Sequence, residues 1–297
     1  MKIETIALPI VRLALTEDLG SGDVTTRALV SERARARARI ESRAAGVLAG
    51  LDVARLASHE LDRDVIFRHK ARDGARLAPG QVVGVIEGRA RAILSTERVA
   101  LNFLQHLSGI ATLTATFVEA LKGTGVKVRD TRKTLPGLRW LEKYAVLCGG
   151  GQNHRFGLFD LVLIKDNHLP AVGSIGGAVK RIRQGDHGLA VQVEVRNPDE
   201  AEQAVAAGAD QLLLDNMDPE MVRATLARLG VTESAAAARA EGGAPGRPWI
   251  EVSGGVTLEN VRALAIPGVD SVAIGAITHS APALDLALVV ETIEDLA

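Results

Sequence analysis

The chain has 297 residues, 47% of them hydrophobic and 24% charged, with 35 basic and 36 acidic side chains and a formal charge of −1. This length supports one large domain or two ordinary ones with a substantial core, and the balanced charge excludes a basic nucleic-acid coat or an acidic tail protein. Aromatic residues at 3% argue against stacking platforms for single-stranded nucleic acid, and the single cysteine, Cys148, excludes an intrachain disulfide and suits a reducing, cytoplasmic setting. No apolar run reaches the roughly 18–20 residues that span a bilayer, and the opening MKIETIALPI lacks the pattern of a secretory leader. The expectation is a protein without nucleic acid or membrane as partner.

In chain order, residues 33–40 (RARARARI) alternate with the period of two that marks a strand. One face is Ala and Ile, the other Arg33, Arg35, Arg37 and Arg39. With no aromatic interleaved, a half-exposed strand with an arginine solvent face is expected rather than a nucleic-acid stripe. Short apolar segments at 46–50, 64–70 and 81–90 read as strands of a small sheet, and 51–61 and 95–120 as helices. An α+β domain to about residue 105 follows. From residue 126 the rhythm changes. Strand candidates at 126–130, 161–166, 190–195, 211–216, 249–254 and 270–275 alternate with helix candidates at 137–147, 173–184, 198–207, 218–229 and 257–265. The helix at 198–207 carries Asn197 as N-cap, Pro198 in its first turn and Gly208 as its stop. Repeated βα units with nearly continuous apolar strands imply a parallel sheet covered by helices, either a barrel or a doubly wound sheet. Residues 231–248, rich in Ala, Gly and Pro, read as a mobile surface insertion.

Polar residues collect where these strands end. After VKV come Arg129, Asp130, Thr131, Arg132 and Lys133; after LVLI come Lys165, Asp166, Asn167 and His168. Glu194 lies in the third strand, Asp215-Asn216 end the fourth, Ser253-Gly254-Gly255 the fifth and Gly275-Ala276 the sixth. In barrels and open sheets alike, active sites gather at the carboxyl ends of parallel strands. Arg132, Lys133, Arg155 and Lys165, with His154, form a cationic group suited to carboxylates or phosphates. Glu194 and Asp215, on adjacent strands, suit Mg²⁺ or sugar hydroxyls. Ser253-Gly254-Gly255, placed before a helix, suits a phosphate, and Gly275-Ala276 can complete that cradle. Cys148 reads as a small buried apolar residue. The residues thus describe an enzyme that binds at least two anionic groups, one of them a phosphorylated sugar.

The segment RDTRKTLPGLRWLEKYAVLCGGGQNHRFGLFDLVLIKDNH (129–168) resembles the central signature of the quinolinate phosphoribosyltransferase family. Collinear matches continue through EDLGSGDVTT (17–26), TERVALNFLQHLSGIAT (96–112), LLLDN (212–216), SGG (253–255) and VAIGAITHS (272–280). The resemblance implies an α/β fold: an N-terminal α/β sandwich at 1–105, an incomplete parallel α/β barrel of about seven strands at 106–280, and a C-terminal segment, 281–297, packing back on the first domain. It implies transfer of phosphoribosyl from 5-phosphoribosyl-1-pyrophosphate to quinolinate with decarboxylation. Arg132, His154, Arg155 and Lys165 then match positions that hold quinolinate. Lys133, with Thr131 beside it, serves the phosphoribosyl pyrophosphate side, and Glu194 and Asp215 lie at the ribose and Mg²⁺. Ser253, Gly254, Gly255, Gly275 and Ala276 hold the 5-phosphate, and Arg98 is supplied to the neighbouring subunit of a homodimer or higher oligomer such as a hexamer. Lys133, Lys165, Glu194 and Asp215 carry the catalytic roles. The alternative is the molybdenum-transport-associated paralogue of the same fold.

Overall fold

The computed structural model describes residues 3–185, 188–231 and 247–294, so most of the insertion at 231–248 lies outside the described residues. Contacts divide the chain into two units. The first holds the described residues up to Ala115, Thr134–Gly150 and those from Ala276 onward; the second holds Thr116–Lys133 and Gly151–Gly275. These bounds differ from a cut at 105/106 with a return at 281. The helix spanning that cut, α4 (Ala90–Ala120), is unbroken, and the helices Arg139–Cys148 (α5) and Ala276–His279 (α10) fall in the first unit.

In the first unit the alternating arginine segment forms β1 (Arg35–Ser42) of a four-stranded antiparallel sheet. The order is β12 (Leu286–Glu294), β1, β5 (Val82–Arg89), β3 (Ile66–His69). Period two decides the faces: Ala36, Ala38 and Ile40 are buried and the arginines point the other way. That outer face is neutralised by the flanking strands. Arg37 pairs with Glu87 and, at 2.8 Å, with Glu291; Arg39 meets Glu41 at 3.0 Å and Glu291 at 3.2 Å. Helix α3 (Leu51–Leu61) forms as expected, whereas 46–50 yields only the two-residue β2 (Gly46–Val47), paired with β4 (Arg76–Leu77). Helix α1 (Ile3–Leu19) lies against α3, and the short α2 (Val24–Leu29) is capped by Asp23. At the end of α5, a Cβ on Gly149 would lie 2.4 Å from the Ala111 carbonyl oxygen, so the glycine lets α5 close on α4.

The second unit is the alternating βα region. Its six parallel strands run β6 (Lys127–Arg129), β11 (Ser271–Ala273), β10 (Trp249–Ser253), β9 (Gln211–Asp215), β8 (Val191–Val195), β7 (Val162–Ile164). Where the resemblance implied about seven strands, the described residues give six and a single parallel bridge, Arg129–Gln152, beyond β6. Val191, Val193 and Val195, Leu212 and Leu214, and Ile250 and Val252 are fully buried. The buried residues of α7 (Pro198–Ala206) and α8 (Pro219–Arg228) include Ala201, Ala204 and Val222. Asn197 caps α7 by accepting the Glu200 amide at 2.9 Å, with Pro198 next, and Gly208 follows at φ +92°. The alternate strand positions carry the polar residues Gln192 and Glu194, Asp215, Glu251 and Ser253, together with the buried Leu213. Helix α6 is Ile175–Gln184, and a 3₁₀ turn spans Asp166–Ala171. The helix expected at 257–265 shrinks to α9 (Val261–Leu264) because Asn260 ties back to the Gly255 carbonyl at 2.9 Å and caps Thr257 at 2.8 Å. No helix among the described residues is long and apolar enough to cross a membrane.

Truncating the fully buried Ile40 in the central β1 removes packing with no means of refilling. The expected outcome for Ile40→Ala is a loss of about 2–5 kcal/mol in chemical denaturation of the first unit, whereas Arg35→Ala on the exposed face changes it by less than about 0.5 kcal/mol.

Candidate active site

Strand register assembles the polar residues of the second unit. Ser253 pairs across to Asp215 on one side and Ala273 on the other, and Ala273 pairs with Arg129. Glu194 pairs with Leu213, and Lys165 follows Ile164, which pairs with Val193. The carboxyl ends of the strands therefore bring Lys165, Glu194, Asp215, Ser253 and the segment Asp130–Lys133 to one edge of the sheet.

The charges there are already paired. Lys165 Nζ lies 2.6 Å from Glu194 Oε2, and the Glu194 side chain is only 8% exposed. A carboxylate so enclosed is costly unless a cation meets it, and Lys165 supplies that cation. Arg196, one residue past β8, pairs with Asp166 and senses the charges of Asp215 and Glu194. Asp215 accepts the Asn216 side-chain amide at 2.9 Å. Asn216 is the one non-glycine residue among those described with positive φ, at 55°, and its backbone N–H donates to the Ser253 carbonyl at 2.8 Å. Asn tolerates this left-handed geometry better than most residues. Gly254 (φ +95°) packs against it: a Cβ there would sit 2.2 Å from Asn216 Oδ1 and 2.8 Å from its backbone nitrogen. The helix start expected directly behind this glycine loop is absent, since α9 begins only at Val261.

On the cationic side, burial lowers the Arg155 guanidinium pKa below its ordinary value, and the charge of Arg132 lowers it further, against a smaller opposing effect of Asp160. Arg132 and Arg155 are therefore a like-charged pair, an arrangement that favours a shared anion. Arg155 Nη1 donates to the Leu161 carbonyl at 3.2 Å, and Asp160 accepts the backbone N–H groups of Phe156 at 2.7 Å and Gly157 at 3.0 Å, closing the loop that carries it. Thr131 Oγ1 accepts the Lys133 backbone N–H at 3.0 Å, and Lys133 is exposed.

The remaining expected residues lie as follows. Arg98 is exposed on α4 in the first unit, and Ala276 opens α10 directly after Gly275. His154 is 7% exposed, with both ring nitrogens engaged inside the second unit. Cys148 is half-buried rather than buried. Burial, then the Asp73 charge, pushes its thiol up to about 12, so it is no thiolate at neutral pH. Sequence reading missed Glu251, Gln192 and Arg196. Glu251 was readable from parity, because Trp249, Glu251 and Ser253 share one strand face while Ile250 and Val252 take the other.

Comparison with known proteins gives concordant matches. The family model for the quinolinate phosphoribosyl transferase C-terminal domain matches residues 110–289, and that for the N-terminal domain matches 23–108. A probable nicotinate-nucleotide pyrophosphorylase [carboxylating] of Bacillus subtilis is 41% identical over 92% of this chain and 89% of its own length. The quinolinate phosphoribosyltransferase [decarboxylating] 1b of Nicotiana tabacum is 36% identical over 95% of this chain and 82% of its own. The crystal structure of NadC from Streptococcus pyogenes superposes with a TM-score of 0.89 at 39% identity, covering 100% of this chain and 99% of that one.

Gly254→Ala is expected to cost about 1–3 kcal/mol in chemical denaturation, through the left-handed φ and the clash with Asn216. A stability change below a few tenths would show that Asn216 moves aside freely. Cys148 alkylation by iodoacetamide is expected to stay slow through pH 9 and to accelerate only as pH approaches about 12, followed by mass spectrometry.

Proposed function

The chain belongs to the quinolinate phosphoribosyltransferase family, and we propose that the strand-end mouth of its second unit is where the two substrates of that family meet. It is a phosphoribosyltransferase of pyridine nucleotide and NAD biosynthesis. Quinolinate and 5-phosphoribosyl-1-pyrophosphate give nicotinate mononucleotide, pyrophosphate and CO₂. The names of the relatives favour this reaction over the molybdenum-transport-associated paralogue.

The observation that carries the site reading is the register that aligns Lys165, Glu194, Asp215 and Ser253 along one edge of the sheet, with Arg132 near enough for its charge to act on Arg155. On this reading Arg132, Arg155 and Lys165 take the carboxylates of quinolinate. Ser253, Gly254 and Gly255, with Gly275 and Ala276, take the 5-phosphate, and Lys133, its backbone turned by Thr131, takes the pyrophosphate. The pyridine nitrogen attacks the anomeric carbon as the C–O bond to pyrophosphate breaks. Positive charge grows on the ribose in the transition state, and Glu194 and Asp215 stabilise it electrostatically. Lys165 exchanges part of its pairing with Glu194 for a substrate carboxylate. Once the nitrogen bears the ribose, its positive charge stabilises the electron pair that stays on the adjacent ring carbon when the 2-carboxylate departs as CO₂, and that carbon then takes up a proton. The arginines must grip the 3-carboxylate while leaving its neighbour able to go.

Glu194 and Asp215 suit Mg²⁺: they are hard oxygen donors on adjacent strands, and this ion commonly takes one or two carboxylates together with substrate phosphates. Mg²⁺ would neutralise charge on the departing pyrophosphate. We place the enzyme in the cytoplasm as a homodimer or a higher assembly, with Arg98 reaching the site of the neighbouring subunit.

Purified protein with phosphoribosyl pyrophosphate and Mg²⁺ is expected to consume quinolinate and release CO₂; absence of turnover would overturn the reading. Arg132→Ala and Lys133→Ala are each expected to lower kcat/KM by about 100-fold or more with unchanged circular dichroism. Mixing inactive Arg98→Ala and Lys133→Ala subunits should restore part of the activity if the site is shared across subunits.

A further inference from the structure

Beneath the mouth lies a buried polar group that substrate binding as read above does not use. Glu251, in the middle of β10, is 0% exposed. Its Oε2 accepts Arg129 Nη1 at 2.7 Å and the Ser271 hydroxyl at 3.0 Å, and its Oε1 lies 3.0 Å from His154 Nε2. Burial acts to raise the carboxyl pKa, but His154, Arg129 and Ser271 together hold it below the usual carboxylate range. Glu251 is thus a fixed anion inside the second unit, and such a charge is retained only where its partners are well set.

Those partners converge on one short backbone segment. Arg129 Nη2 donates to the Asn153 carbonyl at 3.1 Å. His154 Nδ1 accepts the backbone N–H of Arg155 at 2.7 Å, which leaves the ring proton on Nε2. That Nε2–H hydrogen-bonds Gln192 Oε1 at 3.0 Å, and the neutral ring also turns its Nε2 toward Glu251 Oε1 at 3.0 Å. The His154 backbone N–H is held in turn by Asp130 Oδ1 at 2.7 Å. Of the three backbone points that pin Asn153–Arg155, two trace back to Glu251. Arg155 is carried by this segment, near the like-charged Arg132.

We propose that Glu251 is a positioning residue for the diacid pocket, acting through His154 and Arg129 to hold the Asn153–Arg155 backbone so that Arg155 meets a substrate carboxylate. The inference rests on the site reading above. It predicts an effect confined to one substrate. Glu251→Gln should raise KM for quinolinate about 10-fold or more, with KM for phosphoribosyl pyrophosphate within about twofold of wild type. In an Arg155→Ala background, Glu251→Gln should add little further, because both changes remove the same contact; in a Lys133→Ala background its effect should persist. Ser271→Ala, which removes the hydroxyl's hydrogen bond to Glu251 and the one it accepts from Trp249 Nε1 while leaving the Arg129–Glu251 pair, should show the same one-sided shift at about 2–5-fold, and keeps the test decisive if Glu251→Gln fails to fold. Equal changes in both KM values, or multiplicative effects of Glu251→Gln and Arg155→Ala, would overturn the proposal. Wild-type protein that turns over normally while either of these results holds would remove the positioning role alone; wild-type protein without turnover on quinolinate would remove the site reading and this inference together.

Discussion

Parallel pairing advances the six strands of the second unit in step, so residues at the ends of neighbouring ladders emerge at the same level. Alternation then decides which of them turn inward. On β8, β9 and β10 one parity is entirely apolar and fully buried, while the other carries Gln192, Glu194, Asp215, Glu251 and Ser253. A slip of one residue in any of these strands would send its carboxylate into the helix-facing core and an aliphatic side chain into the interior. Core packing and placement of the reactive groups are therefore one requirement. The aliphatic parity secures the register, and the register delivers the chemistry.

The charges so delivered are arranged in two ways. Glu194 is met by Lys165, and Glu251 by Arg129 with the His154 ring against its other oxygen, so the enclosed carboxylates are balanced within the second unit. Arg132 and Arg155 are set against each other, with Asp160 opposing only in part. Balanced pairs keep the enclosed carboxylates tolerable, whereas neighbouring like charges are an arrangement that an anion between them would relieve. On the proposed reading, a diacid entering between the arginines supplies that anion, and one that also draws on Lys165 competes with Glu194.

Much of this was legible in the sequence, for reasons tied to particular residues. The β1 alternation, the Asn197-Pro198 start and Gly208 stop of α7, and the limits of α3 follow from local rules, and the structure reproduces them. The loop after Ser253 was misread as leading straight into a helix, because the tie of Asn260 to the Gly255 carbonyl is specific to that loop and has no periodic signal. The short β2 depends on its partner β4, which propensity alone does not reveal. Among the polar residues, those at strand ends stood out by position. Glu251 did not, since a single acid in WIEVSG looks like an interruption until the parity of the whole strand is considered. His154 shows the converse: its motif marked it for the site, but only the contacts of its two ring nitrogens reveal what it touches.

The pairing of β1 with β12 joins residues 35–42 to residues 286–294, so segments far apart in the sequence close one antiparallel sheet. During synthesis β1 can find β5 early, yet its other edge stays open until β12 has left the ribosome exit tunnel. The sheet of the first unit, though begun first, is thus completed only after the βα region has its full sequence available to fold. Meanwhile the nascent chain carries an exposed strand edge, and Arg37 and Arg39, not yet met by Glu291, place charge along it that discourages pairing with a neighbouring chain.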